Sequence, residues 1–193
     1  MRDAILRKVR ESADLGISFF EENAAELETC VRALAARLTA GGRLLCMGNG
    51  GSACDAQHVA VEFLHPIIEK RRALPALALS ADTAALTAIA NDTDFARVFQ
   101  DQIEILARPG DAALGISTSG ASANVNRALR RARQLGLLTI GFSGRDGGQM
   151  AEVCDHCFTV KTWSIHRIQE THTLLLHLLW DQLHVALGED DVL

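Results

Sequence analysis

The sequence predicts an α/β fold in three layers: an open, doubly wound sheet of five parallel strands with helices on both faces, preceded by a helical extension. From about residue 43 onward, short and nearly continuous apolar runs alternate with longer amphipathic segments. Continuous apolar runs indicate strands that are buried on both faces, as in parallel sheets. Regular alternation of such strands with helices is typical of doubly wound folds.

The elements follow one another along the chain. The predicted strands cover residues 43–48, 74–79, 112–116, 137–142 and 157–161. The predicted helices cover residues 52–65, 83–91, 95–107, 121–135, 147–152 and 165–187. Ligands of such sheets bind beyond the carboxyl ends of the strands, at the point where the strand order reverses. We therefore look for functional residues directly after the strands.

Residues 3–39 form the helical extension that precedes the first strand. Apolar residues recur there in steps of three and four, as at Leu27 and Val31, and Gly41 ends the region. The pattern fits one long helix and, equally, a helical hairpin broken near Gly16. Because the apolar stripe is long for a domain of 20.8 kDa, part of it is expected to pack on a partner subunit.

Composition limits the classes of function. The chain has 193 residues, of which 48% are hydrophobic and 22% charged, and a formal net charge of −5. An acidic protein is a poor partner for nucleic acid, whose phosphate backbone needs a basic face. No apolar run approaches the roughly 18 residues of a membrane span, the first residues do not form a signal peptide, and the five cysteines suit a reducing compartment. We expect one cytoplasmic domain over 1–193, with an oligomerisation segment at 1–41 and an α/β core at 42–193.

Two turns rich in glycine and hydroxyl side chains follow predicted strands. The first is Gly48-Asn49-Gly50-Gly51-Ser52, and the second is Ser117-Thr118-Ser119-Gly120-Ala121-Ser122. Each turn offers backbone N–H groups, small side chains and a helix N-terminus, which together suit a phosphate group. A helix cap accounts for one of the four hydroxyls in the second turn, and three remain as donors. The expected ligand is a phosphorylated small molecule.

The first turn also matches G-x-G-x-x-A, a pattern of dinucleotide-binding folds. That fingerprint needs an acidic residue at the end of the second strand, about 20 residues later. Here the second strand ends near Ser80, and Asp82 comes about ten residues too late. No Gly-Lys-Ser/Thr follows the glycines, which excludes a Walker loop. The other alternative for this turn is a tight bend without a ligand.

Carboxylate and imidazole side chains lie on two of the predicted helices. His58 and Glu62 are four residues apart and therefore share one helix face. On the last helix, spacing by seven residues groups Glu170 with His177 and His184. Both patterns are also typical of a solvated face or of histidines in a core.

Three ordered motifs resemble those of the phosphoheptose isomerase family, whose single domain is of the sugar-isomerase (SIS) type. The motifs are Cys46–His58, Gly115–Val125 and Arg167–His177, and the similarity runs from about Arg10 to Leu187. The resemblance implies a sheet of flavodoxin-like order and a homotetramer with active sites at subunit interfaces. It also implies conversion of sedoheptulose 7-phosphate to D-glycero-D-manno-heptose 7-phosphate in the cytoplasm, the first step of activated heptose biosynthesis for lipopolysaccharide.

The resemblance also implies which residues form the site. Those that would bind substrate are Asn49, Gly50, Gly51, Ser52, Glu62, Asn91, Asp92, Ser117, Thr118, Ser119, Ser122 and Gln169. Those that would hold one zinc ion per subunit are His58, Glu62, Gln169 and His177. The family pattern thus selects Gln169 rather than Glu170 as the inward residue of the last helix. On its own, the pair Asn91-Asp92 is equally typical of a helix end.

Aldose–ketose isomerisation moves a proton between adjacent carbons through an enediol. The reaction needs a base at carbon and a proton donor or a metal at oxygen. The resemblance implies that Glu62 and His177 are the catalytic residues, with Glu62 as the carbon base and His177 as its acid–base partner. Imidazole and carboxylate groups are ordinary zinc ligands, whereas the amide oxygen of Gln169 is a weak one.

Two segments depart from the family pattern near the expected mouth of the site, at residues 63–66 and 161–166. They affect the expected sugar preference more than the reaction type. The alternatives are a non-catalytic SIS regulator of replication initiation and an isomerase of another sugar phosphate, such as arabinose 5-phosphate. The regulator class lacks a histidine at the position of His177, and the other isomerases usually carry additional nucleotide-sensing domains.

Overall fold

One sheet of five parallel strands organises the computed structural model, which describes residues 1–67 and 71–191. The strands are β1 (Leu44–Gly48), β2 (Ala76–Ala78), β3 (Ala112–Ser117), β4 (Leu138–Gly144) and β5 (His156–Val160). Their order is β2-β1-β3-β4-β5, and every neighbouring pair is parallel. This flavodoxin-like order confirms the predicted fold class. The interpretation of 1–193 as one domain includes residues outside the described part and stays a prediction.

Helices cover both faces of the sheet. They are α1 (Arg2–Thr39), α2 (Gly51–Leu64), α3 (Thr83–Asp92), a 3-10 turn (Phe95–Arg97), α4 (Gln100–Leu106), α5 (Ala123–Gln134), α6 (Met150–Val153) and α7 (Ile165–Ala186). The core has two parts: α1, α2 and α7 pack on one face of the sheet, and the helices from α3 to α6 pack on the other. In the described part of the chain, none of the helices is long and apolar enough to cross a membrane.

Burial on both faces explains why the strands could be predicted from apolar runs. Every residue of β1, β3 and β4 is buried. A strand in the middle of a covered parallel sheet has no solvated side, so its sequence does not alternate between apolar and polar residues. The predicted strand bounds consequently differ from the observed ones by only one or two residues.

The N-terminal extension is one continuous helix of 38 residues, so the alternative of a hairpin broken near Gly16 is wrong. Gly16 is buried, and a Cβ added to it would lie 3.6 Å from Leu174 Cδ2 on α7. The glycine therefore belongs to the surface where α1 meets α7 and does not interrupt the helix. The apolar residues at Leu27 and Val31 are buried in the core, as their spacing predicts.

Two predicted helices begin or divide differently from the prediction. The segment 95–107 is a 3-10 turn followed by α4, and Asp94 caps the turn by accepting from Ala96 N at 2.9 Å. The segment predicted at 147–152 becomes helical only at Met150, since Gly147 and Gly148 have φ angles of 89° and 50°. Such angles belong to the left-handed region and prevent a helix from starting earlier.

The two glycine- and hydroxyl-rich turns meet at the carboxyl edge of the sheet. The first turn follows β1 and leads into α2, and the second follows β3 and leads into α5. β1 and β3 are neighbours, and the ladder pairs Gly48 with Ile116 at their ends. The strand order reverses at this position, because β1 continues to β2 on one side while β3 continues to β4 on the other. This is the place where open α/β sheets bind their ligands.

Candidate active site

A reciprocal amide pair joins the two turns. Asn49 Nδ2 donates to Asn124 Oδ1 at 2.9 Å, and Asn124 Nδ2 donates to Asn49 Oδ1 at 2.8 Å. Asn124 is buried in the first turn of α5. The sequence interpretation assigned Asn49 to the substrate and gave Asn124 no role, although Asn124 lies inside the second motif. The pair fixes how the two turns face each other across the switch point.

Three hydroxyl groups of the second turn converge on one another. Ser117 Oγ lies 2.8 Å from Ser122 Oγ and 3.4 Å from Ser119 Oγ, and Ser119 Oγ accepts from Ala121 N at 3.2 Å. Ser122 is the N-cap residue of α5, yet its side chain makes no capping hydrogen bond. All three hydroxyls, including the one that a cap was expected to occupy, therefore face one small space at the N-terminus of a helix. Such a group of donors suits a phosphate.

Gly120 fixes the shape of the second turn. Its φ is +61°, and an added Cβ would lie 1.9 Å from the carbonyl oxygen of Gly147. Its own carbonyl accepts from Met150 N at 3.1 Å and from Asn126 Nδ2 at 2.9 Å. The turn is thus pressed against the Gly147–Gly148 bend, and only a residue without a side chain fits there.

The first turn is equally crowded. Gly50, with φ +55°, is the N-cap of α2. A Cβ on Gly51 would lie 2.1 Å from Gln169 Nε2, so the Gln169 amide rests directly on this glycine. Ser52 is buried beneath the turn, and a Cβ on Gly48 would lie 2.3 Å from its carbonyl oxygen. Close approach of α7 to the backbone explains the glycine at position 51 and places Gln169 beside the first turn.

The predicted carboxylate and imidazoles come together from two helices. His58 Nε2 is 3.3 Å from Glu62 Oε1 on α2, and it is also 3.3 Å from His177 Nε2 on α7. One ligand atom from each of the three residues lies within 4.8 Å of the others. His58 and Glu62 are partly buried and His177 is exposed, so a small ligand can reach them. Two imidazole nitrogens and a carboxylate at this separation fit a zinc ion.

Glu170 and His184 do not belong to this cluster, so the grouping by seven residues is wrong. Glu170 accepts from Ser12 Oγ at 2.6 Å and pairs with Arg167 at 2.7 Å, which directs it toward α1. His184 is buried and lies 2.9 Å from Glu189 Oε2. The geometry agrees with Gln169 as the residue that faces α2. That its amide also binds a metal stays a prediction.

Asn91 and Asp92 are the last two residues of α3 and are exposed. Asn91 Nδ2 donates to Asp92 Oδ1 at 2.8 Å, and within the described residues no hydrogen bond links either of them to the two turns. Thr118, between the clustered serines, is partly buried. The assignment of these three residues to substrate stays a prediction.

A buried histidine anchors α7 to the end of β4. His172 Nε2 lies 2.9 Å from the carbonyl oxygen of Ser143, and the ring is completely buried. Burial lowers the pKa of His172 to about 4, although the hydrogen bond to Ser143 acts in the opposite direction. The ring is therefore neutral near pH 7 and serves packing rather than proton transfer.

Comparison with known proteins points to one family. Residues 9–144 match the family model described as SIS domain. A phosphoheptose isomerase from Desulfovibrio desulfuricans is 51% identical over 92% of this chain and 84% of its own length. The structure of a phosphoheptose isomerase from Neisseria gonorrhoeae superposes with a TM-score of 0.88 at 37% identity, covering 94% of this chain and 97% of that one. A phosphoheptose isomerase from Francisella tularensis gives a TM-score of 0.90 at 31% identity, covering 95% and 97%.

Proposed function

Because the chain belongs to the SIS-domain family, and within it to the phosphoheptose isomerases, we propose that it converts sedoheptulose 7-phosphate to D-glycero-D-manno-heptose 7-phosphate through an enediol. The observation that carries this proposal is that one fold holds two unlike groups of residues, the hydroxyls of the second turn and the cluster on α2 and α7. Converging hydroxyls suit the phosphate, and the Glu62–His58–His177 cluster suits the carbonyl end. A ketose phosphate has both features in one molecule.

The proposed reaction uses Glu62 and His177 for two different protons. The Glu62 carboxylate removes a proton from C1 of the ketose while the His177 imidazole donates a ring N–H proton to the carbonyl oxygen at C2, which yields the enediol. Glu62 then returns its proton to C2, and His177 takes the hydroxyl proton from O1, which yields the aldehyde. Both groups end in their starting protonation states, as a general acid–base pair must.

The phosphate end needs no acid–base chemistry. Ser117, Ser119 and Ser122 donate hydroxyl hydrogen bonds to the phosphate oxygens, and the N-terminus of α5 favours the negative charge. Thr118 and the backbone of Gly50 and Gly51 complete the proposed contacts. Binding at this end holds the sugar so that C1 and C2 stay beside Glu62, which lowers the entropic part of the barrier.

We propose that the metal is zinc, one ion per subunit, held by His58, Glu62, Gln169 and His177. The ligand atoms of His58, Glu62 and His177 lie within 4.8 Å of one another. When bound, the ion would polarise the substrate oxygens on the two carbons between which the proton moves. Glu62 Oε1 lies 3.3 Å from His58 Nε2, so we assign this oxygen to the ion and the other carboxylate oxygen to the proton at carbon.

The assembly that we propose is a homotetramer in which residues 1–41 pack on partner subunits. Large apolar side chains remain exposed along the groove between α1 and α7: Val9 is 60% exposed, Ile17 59% and Leu174 44%. Exposed apolar surface of this kind marks association sites. Light scattering should give about four times 20.8 kDa for the wild type and a smaller particle for Ile17→Glu. A wild-type mass of 20.8 kDa would contradict the proposal.

The reaction itself is tested by turnover in D₂O. The purified enzyme is given sedoheptulose 7-phosphate and, separately, arabinose 5-phosphate and ribulose 5-phosphate, each with and without a chelator. An enediol mechanism predicts deuterium at C2 of the heptose product and preference for the seven-carbon substrate. Turnover of a shorter sugar alone would identify another isomerase, and binding without any turnover would favour a regulator. The proposed place of the reaction is the cytoplasm, as the first step of activated heptose biosynthesis for lipopolysaccharide.

A further inference from the structure

The last turn of α2 carries Glu62 and ends in an unusual way. In a continuing helix, the carbonyl oxygen of Glu62 would accept from the N–H of residue 66, but Pro66 has no N–H. The indole of Trp180 on α7 replaces that donor, with Nε1 at 2.9 Å from Glu62 O. The carbonyls on either side are satisfied locally, since Val61 O accepts from His65 N at 2.8 Å and Phe63 O from Leu74 N at 2.7 Å.

The indole is itself held in place from its other side. Trp180 is 3% exposed, and the Arg71 guanidinium lies 4.7 Å from the centre of its ring. Arg71 Nη2 donates to Asp181 Oδ1 at 2.6 Å, with side chains only 3% and 6% exposed. The His184 ring packs edge-on against the indole at 4.8 Å. A cation over the ring and a buried ion pair beside it leave the indole little freedom to rotate.

The indole connects the two helices on which the cluster depends. In the described part of the chain, two side-chain hydrogen bonds join α2 to α7: the contact of His58 with His177 and the bond from Trp180 to Glu62. The first joins two of the proposed metal ligands. The second joins groups that take no part in the chemistry, and Trp180 is only three residues beyond His177.

We propose that Trp180 is a positioning residue, whose indole N–H holds the backbone of Glu62 and thereby sets the distance between Glu62 and His177. The proposal rests on the proposed function, in which these two residues move the protons. Loss of the N–H leaves the Glu62 carbonyl without a donor in a partly buried place, so the last turn of α2 shifts relative to α7. A small displacement of a catalytic group is sufficient to reduce the rate strongly.

The test removes the N–H in two variants, one of which keeps both fused rings. Trp180 is replaced by phenylalanine and, by amber suppression, by benzothienylalanine, which keeps both fused rings and carries sulfur instead of N–H. Leu183→Val is the matched control, because it trims a buried side chain on the same helix without touching this bond. We expect kcat per folded molecule to fall about tenfold to hundredfold in both Trp180 variants, with KM changed less than about twofold.

A second readout needs no turnover. Long-range ¹H–¹⁵N spectra of the imidazoles should show shifted His58 and His177 resonances with benzothienylalanine and unshifted ones in Leu183→Val. Resonances that stay in place, or a kcat that stays at the wild-type value while only the melting temperature falls, would overturn the positioning role. If the wild type fails to turn over sedoheptulose 7-phosphate, the proposed function fails, and the imidazole spectra still decide whether Trp180 positions the cluster.

Discussion

The second glycine- and hydroxyl-rich turn, residues 117–122 and here called the serine turn, differs in construction from the His58–Glu62–His177 cluster. The serine turn gathers three hydroxyls from six consecutive residues after one strand. The cluster joins His58 to His177, which are 119 residues apart, through the packing of α2 against α7. One continuous stretch of backbone brings the three hydroxyls together, whereas the cluster forms only where two separate helices pack against each other. Substrate affinity and chemical rate should therefore respond to different sets of substitutions.

The largest expected effect separates chemistry from binding. Glu62→Gln removes the base and keeps the size of the side chain, so kcat should fall by roughly 10²-fold or more while KM changes little. A coupled assay for the aldose product measures both constants. Glu170→Gln is the matched control, because Glu170 pairs with Arg167 outside the cluster. Wild-type activity in Glu62→Gln would place the base on another residue.

The next prediction concerns the shape of the serine turn. Gly120→Ala adds a methyl group 1.9 Å from the carbonyl of Gly147 at a residue whose φ is +61°, so the turn must open. Gly136→Ala is the control, because its φ of +82° imposes the same backbone strain with no atom within 4 Å of the added carbon. Overpacking should cost Gly120→Ala about 1–3 kcal/mol more than Gly136→Ala in urea unfolding, and KM should rise only in the former. Equal losses would show that the close contact does not restrict the turn.

The free energy of unfolding should fall in acid because α7 carries a buried histidine, His172. The pKa of buried His172 is lowered from 6.5 to about 4, so between these values the unfolded chain binds a proton that the folded chain does not. Stability should therefore fall as pH decreases through this window, by up to about 1.4 kcal/mol per pH unit from this one group, and should not depend on it above the window. Urea unfolding at several pH values measures the slope, and His172→Gln should make it shallower. Identical slopes for the two proteins would contradict the lowered pKa.

The smallest expected effect is the loss of one phosphate donor. Ser119→Ala should raise KM about tenfold and leave kcat near the wild-type value, since the hydroxyl binds an anion equally in the ground and transition states. Inhibition by inorganic phosphate should weaken in parallel, which provides a measurement independent of the sugar. An unchanged KM together with unchanged phosphate inhibition would move the phosphate away from this turn.

The contrast between features made by neighbouring residues and features made by distant ones explains which parts of the structure could be predicted from sequence. The strands and the two turns depend on neighbouring residues, and their positions differ from the prediction by one or two residues. The orientation of α7 depends on what packs against each of its sides. Spacing alone grouped Glu170 with His177, whereas Glu170 bonds to Ser12 on α1. Only the family pattern selected Gln169.

Residues that support the site through contacts with other parts of the chain are the hardest to identify from the sequence. Asn124 is one polar residue at the start of a helix, and nothing nearby indicates that it pairs with Asn49, which is 75 residues away. Trp180 lies among leucines and is typical of a core position. Its role depends on the Glu62 carbonyl, in another part of the chain, which lacks a backbone donor because Pro66 has no N–H. Contacts between distant segments of this kind become visible only in three dimensions.

The most direct measurement is a crystal structure of the Glu62→Gln variant soaked with sedoheptulose 7-phosphate. The account predicts that the phosphate lies within hydrogen-bond distance of the Ser117, Ser119 and Ser122 hydroxyls. It also predicts that C1 and C2 of the same molecule lie beside residue 62 and His177. A phosphate bound away from the serine turn, or a carbonyl end directed away from both helices, would contradict it.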